Sequence, residues 1–232
     1  MTLARAFSSA AYWESRYHAG GQSGAGSRGP LAAYKAAVVN RFIADNAIGG
    51  LIDLGCGDAA QLALLTPPSR YVGVDVSPTA RSLCAALYPD RCFVSPEELR
   101  TLPPAELTLC LDVLYHLVED AVFADAIRTL FAWSTRFVVI YANNVDAPWS
   151  SPHVRHRRFT DHVAVTEPDW RLLAHMPNPR PHDPAHPDDT SFADFFFYGR
   201  QGAGCSLWVP DAPGCAMAPP PQAWKDTGSL VR

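Results

Sequence analysis

Gly55 and Gly57 stand one residue apart at the end of the run Leu51-Ile52-Asp53-Leu54. Asp75 closes a second apolar run, Tyr71-Val72-Gly73-Val74, about twenty residues further on. A main chain without Cβ atoms at 55 and 57 can turn sharply at a strand end and lie close to a ligand. A carboxylate at 75 can accept hydrogen bonds from both hydroxyls of a ribose. The spacing predicts a strand–turn–helix that cradles a nucleotide, though a tight turn without a ligand would use the same glycines. A second group follows the run Leu107–Leu111, where Asp112 and His116 arrive at the rim on which ligands collect in open α/β sheets. An imidazole titrates near neutral pH, so His116 is the first candidate for a general base. The competing reading has it hydrogen-bonded to a loop backbone. An unperturbed aspartate is too weak a base at pH 7, so Asp112 is read as orienting a cofactor or a loop.

His153 and His156 are second choices as base. They lie in His153-Val154-Arg155-His156-Arg157-Arg158-Phe159, two histidines and three arginines in seven positions. That run is either a solvated charged face or a cluster for an anion or polyol. Metal binding is disfavoured, because no carboxylate accompanies the histidines and the arginines would oppose a cation.

These residues need a sheet to hold them. Apolar runs at 51–54, 71–75, 91–95, 107–111, 137–141, 170–175 and 191–198 predict seven strands. Helices are predicted over 8–18 after a serine cap, over 31–46, over 59–65 with its N-terminus facing the ligand, from Ser77-Pro78 to Tyr88, over 123–133, and from Thr160 to Glu167. Residues 20–29 hold too much glycine for a regular element and make either a flexible linker or a lid.

The sequences L-I-D-L-G-C-G-D and Y-V-G-V-D-V-S-P resemble the first and second motifs of the class I S-adenosylmethionine-dependent methyltransferases, and L-T-L-C-L-D-V-L-Y-H at 107–116 resembles the fourth. The resemblance covers roughly residues 35 to 200, and 12–27 is similar to an N-terminal segment of bacterial small-molecule members. It implies a Rossmann-like, doubly wound α/β fold with a seven-stranded sheet, mostly parallel with an antiparallel last strand. It implies S-adenosyl-L-methionine as cofactor, with candidate contacts at Asp53, Gly55, Cys56, Gly57, Asp75, Val76 and Asp112. It favours the lid, with Ser23 or Ser27 reaching the methionine carboxylate and Tyr12 and Tyr17 touching the cofactor. Where many members end the third strand in an aspartate against adenine, Ser95 is the nearest residue. Dinucleotide-binding domains carry a third glycine where this chain has Ala60. No N-P-P-Y follows the fourth strand, which counts against adenine or glutamine as acceptor.

A chain of 232 residues suits one catalytic domain with additions, since domains run to roughly 100–200 residues. The expected division is 1–30 as N-terminal helix and lid, 31–200 as the domain, and 201–232 as a Pro/Gly-rich, poorly ordered tail. A net charge of −4 offers no general attraction to long nucleic acids. The six cysteines show no C-x-x-C spacing and read as reduced, mostly buried thiols. Without an export signal or a membrane-length apolar stretch, a cytoplasmic protein is expected. The leading expectation is methyl transfer to a small polar acceptor, oxygen before nitrogen: a sugar, a glycan precursor or a secondary metabolite. The alternatives are a protein that keeps the cofactor for a non-methylating reaction or for regulation, and a nicotinamide-dependent oxidoreductase, for which no Tyr-Lys pair is recognisable. Sequence leaves the oligomeric state open.

Overall fold

The computed structural model describes residues 7–206. Its seven strands are β1 (Gly50–Leu54), β2 (Arg70–Val74), β3 (Cys92–Val94), β4 (Ala105–Leu111), β5 (Ser134–Ala142), β6 (Trp170–Met176) and β7 (Asp194–Arg200). They form one sheet in the order β3-β2-β1-β4-β5-β7-β6. The first five are mutually parallel, and β7 runs antiparallel to both β5 and β6. This is the expected mixed, Rossmann-like α/β sheet.

The chain steps outward from β1 to β2 and β3, then returns to β4 on the other side. The carboxyl ends of β1 and β4 therefore flank a topological switch point, where open α/β sheets leave a crevice. Strands buried on both faces need near-continuous apolar sequence. In β4 the side chains of Leu107, Leu109 and Cys110 are fully buried, as are Phe137, Val138 and Ile140 in β5. Each such Leu or Ile stabilises the fold by about 2 kcal/mol through area removed from water.

Six helices complete the fold: α1 (Ser9–His18), α2 (Gly29–Asp45), α3 (Pro78–Leu87), α4 (Pro96–Leu99), α5 (Asp120–Ala132) and α6 (Phe159–Thr166). The Ser8 side chain caps α1 by accepting from Ala11 N–H at 3.3 Å, and Ser77 caps α3 through Ala80 N–H at 3.0 Å, with Pro78 following. Helix α2 begins at Gly29, ahead of the expected Leu31, because Pro30 fits the first turn. The expected domain boundary at 30 thus falls inside a helix.

Three expectations are corrected. No helix spans 59–65: Ala59 sits at φ +60°, which a right-handed helix does not accept, and only a 3-10 turn at Leu62–Leu64 precedes Pro67-Pro68. Thr160 does not cap α6 but lies inside it, with its hydroxyl donating to Asn144 Oδ1 at 3.1 Å. Ser95 is not a free strand end. It caps α4 in a reciprocal box, its Oγ accepting from Glu98 N–H at 3.1 Å while Glu98 Oε2 accepts from Ser95 N–H at 2.7 Å.

Of the cysteines, Cys56, Cys84 and Cys110 are buried, Cys205 is half-buried and Cys92 is exposed. Cys215 and most of the expected tail, 207–232, lie outside the described residues. Ser206 is held by Asn46, its N–H donating to Oδ1 and its carbonyl accepting from Nδ2, both at 2.9 Å. No described helix is long and apolar enough to cross a membrane.

Candidate active site

A cavity of about 150 Å³ opens at the carboxyl ends of β1, β2 and β4. Asp53, Gly55, Cys56, Asp75, Val76 and Asp112 all line it, as do Tyr17 and Ser27 of the N-terminal segment and His116 of the turn after β4. Residues far apart in sequence meet there because the sheet delivers three strand ends to the switch point.

Asp75 is held in place by the main chain. Its Oδ2 accepts from Gly57 N–H at 3.0 Å and its Oδ1 from Ser77 N–H at 2.9 Å. Burial pushes its carboxyl above the usual carboxylate range, and the two N–H bonds pull it back. Asp53 is buried against the Tyr71 hydroxyl, which donates to Oδ2 at 2.9 Å, and burial raises its pKa to about 6. Cys56, beside the Cys84 thiol and buried, has its thiol pushed well above the usual range and acts as a neutral wall.

The amides of the glycine turn are spent within the chain. Gly55 and Cys56 N–H both donate to Val74 O, at 2.7 and 3.1 Å, and Gly57 N–H donates to Asp75. Asp58 N–H donates to Ser23 Oγ at 3.1 Å, Ala59 N–H to Cys56 O at 3.2 Å, and Ala60 N–H to Asp58 Oδ1 at 3.2 Å. Every N–H from 55 to 60 is engaged within the chain. The glycines are required for geometry instead. Gly55 has φ +81°, and a Cβ there would lie 2.3 Å from Val113 Cγ2. Gly57 has φ +58°, and a Cβ would lie 2.4 Å from Ser23 Oγ.

Asp112 also adopts positive φ, +61°, at the end of β4. Its two oxygens are engaged by the buried ammonium of Lys35 from α2 and by the Tyr115 hydroxyl at 2.7 Å. Lys35, 1% exposed, also lies 5.5 Å from the Tyr141 ring centroid. Sequence reasoning missed Lys35; a lone lysine among the apolar positions of a helix was the available signal.

The N-terminal segment forms a roof. At one end of α1, Ser9 donates from N and Oγ to Glu119, at 2.9 and 2.7 Å. Further along, Glu14 accepts from Ser77 Oγ at 2.5 Å and from Thr79 Oγ1 at 2.6 Å. The glycine-rich segment is pinned by Asp58, which accepts from Ser23 N at 3.2 Å, Ser23 Oγ at 2.8 Å and Arg28 at 2.9 Å, while Tyr17 Oη lies 2.9 Å from Ser23 Oγ. Gly20–Gly29 is therefore a strapped cover and not a loose linker, with Ser23 bonded to Asp58.

His116 joins the cavity wall with Trp13 against it, ring centroids 4.9 Å apart. Its Nδ1–H donates to His153 O at 3.0 Å, and burial lowers its pKa to about 4. His153 is outside the cavity lining: its ring stacks on Tyr12 at 4.7 Å and lies 2.8 Å from Ser151 Oγ. Tyr12 is thereby kept from the lining too. His156 is further removed, packed edge-on to Trp149 and Phe192 at 4.8 and 5.0 Å. At the end of β3, Pro96 rather than Ser95 lines the cavity.

The arginine run divides: Arg155 and Arg158 stay exposed, as a solvated face would have them, while Arg157 is largely covered. Arg157 donates to Leu117 O and Val118 O, both at 2.7 Å, and its guanidinium lies 4.6 Å from the Phe123 ring centroid. Arg155 donates to Val118 O at 3.1 Å and pairs with Asp120 at 3.0 Å. These arginines fasten the loop that carries His116.

No protein-family model and no curated protein sequence matches the chain. Solved structures do. Magnesium protoporphyrin IX methyltransferase (ChlM) from Synechocystis PCC 6803 with bound SAM superposes with a TM-score of 0.58 at 14% identity, over 85% of this chain and 100% of that one. The N-methyltransferase NodS from Bradyrhizobium japonicum WM9 with S-adenosyl-L-homocysteine gives 0.56 at 13% identity, over 74% and 87%. The methyltransferase domain of bacterial CtHen1-C gives 0.56 at 15%, over 72% and 97%. The chain carries the methyltransferase fold. Within that fold the strand ends flanking the switch point are the ones that line the cavity described above.

Proposed function

We propose that this protein binds S-adenosylmethionine in the cavity and catalyses transfer of its methyl group. The observation that carries this reading is the charge and donor pattern of the glycine turn. A dinucleotide pyrophosphate needs free N–H groups at that turn. Here all six from Gly55 to Ala60 are engaged, and the carboxylates of Asp53, Asp75 and Asp112 stand around the cavity instead. Such a lining suits a ligand that carries a sulfonium and an ammonium. Gln61 fits the same ligand: its Nε2 donates to Ala32 O at 3.0 Å, and its buried Oε1 has no partner among the described residues.

When bound, the cofactor supplies an electrophilic methyl group that needs alignment more than activation. The chain's residues do the rest. Asp75 accepts from the ribose hydroxyls, the glycine turn allows close approach, and Trp13, Tyr17 and the cover over Ser23 exclude water. His116, fixed through Nδ1, presents Nε2 as a hydrogen-bond acceptor to an incoming acceptor molecule. The fold comparison leaves acceptor chemistry open, since one relative is named for a porphyrin and another for N-methylation.

Calorimetric titration with S-adenosylhomocysteine and with NAD tests the reading. Saturable heat with the first and none with the second is expected. Saturable binding of NAD alone would sink it.

A further inference from the structure

Around His116, the charged groups Asp112, Arg155 and Arg157 are already occupied. Asp112 has both oxygens engaged, by Lys35 and Tyr115. Arg155 and Arg157 hold Leu117 O, Val118 O and Asp120. The neighbouring wall is apolar or aromatic: Trp13, Val113 and Leu117 line the cavity. The rings of Tyr12, His153 and His116 form a stack, with interplanar angles of 11° and 15° and centroids 4.7 and 5.4 Å apart. His116 Nε2 is an acceptor on a cavity-lining residue with no protein partner among the described residues; Trp13 Nε1, a donor only, and the Tyr12 and His153 polar tips outside the lining have none either. Because a carbonyl can only accept, the bond from Nδ1 to His153 O fixes the tautomer in which Nε2 carries the lone pair.

We propose that the methyl acceptor is a planar aromatic molecule whose single hydroxyl donates to His116 Nε2. The inference rests on the methyl-transfer reading above and gives it a substrate class. A polyol would leave its further hydroxyls desolvated against Trp13 and Leu117, whereas a flat ring gains contact with the same walls. Acidity argues the same way. Burial lowers the His116 pKa to about 4, which makes a weak base. A phenol, with pKa about 10, is far easier to deprotonate than an aliphatic alcohol. In the step, the aryl oxygen forms its bond to the methyl carbon while the carbon–sulfur pair returns to sulfur. The hydroxyl proton passes to Nε2 and then to solvent, leaving an aryl methyl ether and S-adenosylhomocysteine.

The test is calorimetric titration of 2-naphthol, naphthalene and myo-inositol into the full chain, with and without S-adenosylhomocysteine, for wild type, H116A and H116Q. Naphthol should bind about tenfold tighter than naphthalene, the worth of one hydrogen bond, with myo-inositol weaker than both. H116A should abolish the naphthol–naphthalene difference while cofactor affinity stays the same. H116Q, which can accept a hydrogen bond but not a proton, should keep the difference and lose about 100-fold in turnover of naphthol. Inositol binding as tightly as naphthol, or an H116A variant that keeps the naphthol preference, overturns the proposal while the cofactor reading stands. Naphthol binding without any binding of S-adenosylhomocysteine overturns the methyl-transfer reading and the acceptor role with it.

Discussion

Gly57 N–H donates to Asp75 Oδ2 at 3.0 Å, so the glycine turn after β1 and the acid after β2 are locked to each other. The carboxylate is positioned by main chain alone, with Ser77 N–H on its other oxygen. Asp75→Asn keeps the shape but loses the charge and one acceptor. It should weaken S-adenosylhomocysteine binding by about 1–3 kcal/mol, the cost of losing a charged hydrogen-bond partner. Unchanged affinity in a titration, with a normal melting curve, would remove Asp75 from the ribose role.

Gly55→Ala should destabilise the fold by about 1–3 kcal/mol, because the site combines a positive φ with a Cβ position 2.3 Å from Val113 Cγ2. Adding Val113→Ala relieves the collision and leaves the backbone strain, so the double variant should recover part of the loss. Denaturant unfolding of the two variants checks this; full recovery would place all the cost in the collision.

Lys35→Met leaves the Asp112 carboxylate without its buried ammonium and should cost about 3–5 kcal/mol. The isosteric pair K35M/D112N removes both charges and should be markedly more stable than K35M alone. A double variant no better than the single would show that the ion pair is not what makes Lys35 costly to replace.

Two buried groups tilt stability in opposite directions with pH. Burial brings His116 down to about 4 from an ordinary value of about 6.5, so between these the unfolded chain binds more protons and stability rises with pH. Burial brings Asp53 up to about 6 against the pull of the Tyr71 hydroxyl, so between about 4 and 6 the folded chain holds the extra proton and stability falls as pH rises. The slopes offset in the wild type. Measured against wild type from pH 4 to 6, the Tm of H116Q should fall and that of D53N should rise. Parallel curves would show that neither group titrates as described.

Asp58→Asn weakens the anchor for Ser23 and Arg28, and should expose Gly20–Gly24 to proteolysis faster than wild type while the melting temperature of the sheet changes little. Limited digestion followed by mass spectrometry reads this. Equal cleavage rates would mean the cover is held elsewhere.

The strand ends were legible because parallel, doubly buried strands write continuous apolar runs, and the three that line the cavity, β1, β2 and β4, close on Gly55, Asp75 and Asp112. Their order across the sheet agrees with the family resemblance. What failed was local. Residues 59–65 have helical composition, but Ala59 takes a left-handed conformation and Ala60 N–H bonds the Asp58 side chain two residues back, a local turn that outweighs helix propensity. The arginine run at 155–158 looks the same in sequence whether its guanidiniums face water or main-chain carbonyls. Only the loop that brings Leu117 and Val118 beneath them decides. Lys35 stands out among the apolar positions of its helix, but its partner does not: Asp112 lies 77 residues away.

The cover pinned by Ser9, Glu14 and Ser23 has a kinetic corollary. Because its fastenings reach both the caps of α3 and α5 and the glycine turn, a nucleoside that enters beneath the cover must break bonds at all three places. Turnover should then be paced by the unlatching of this flap.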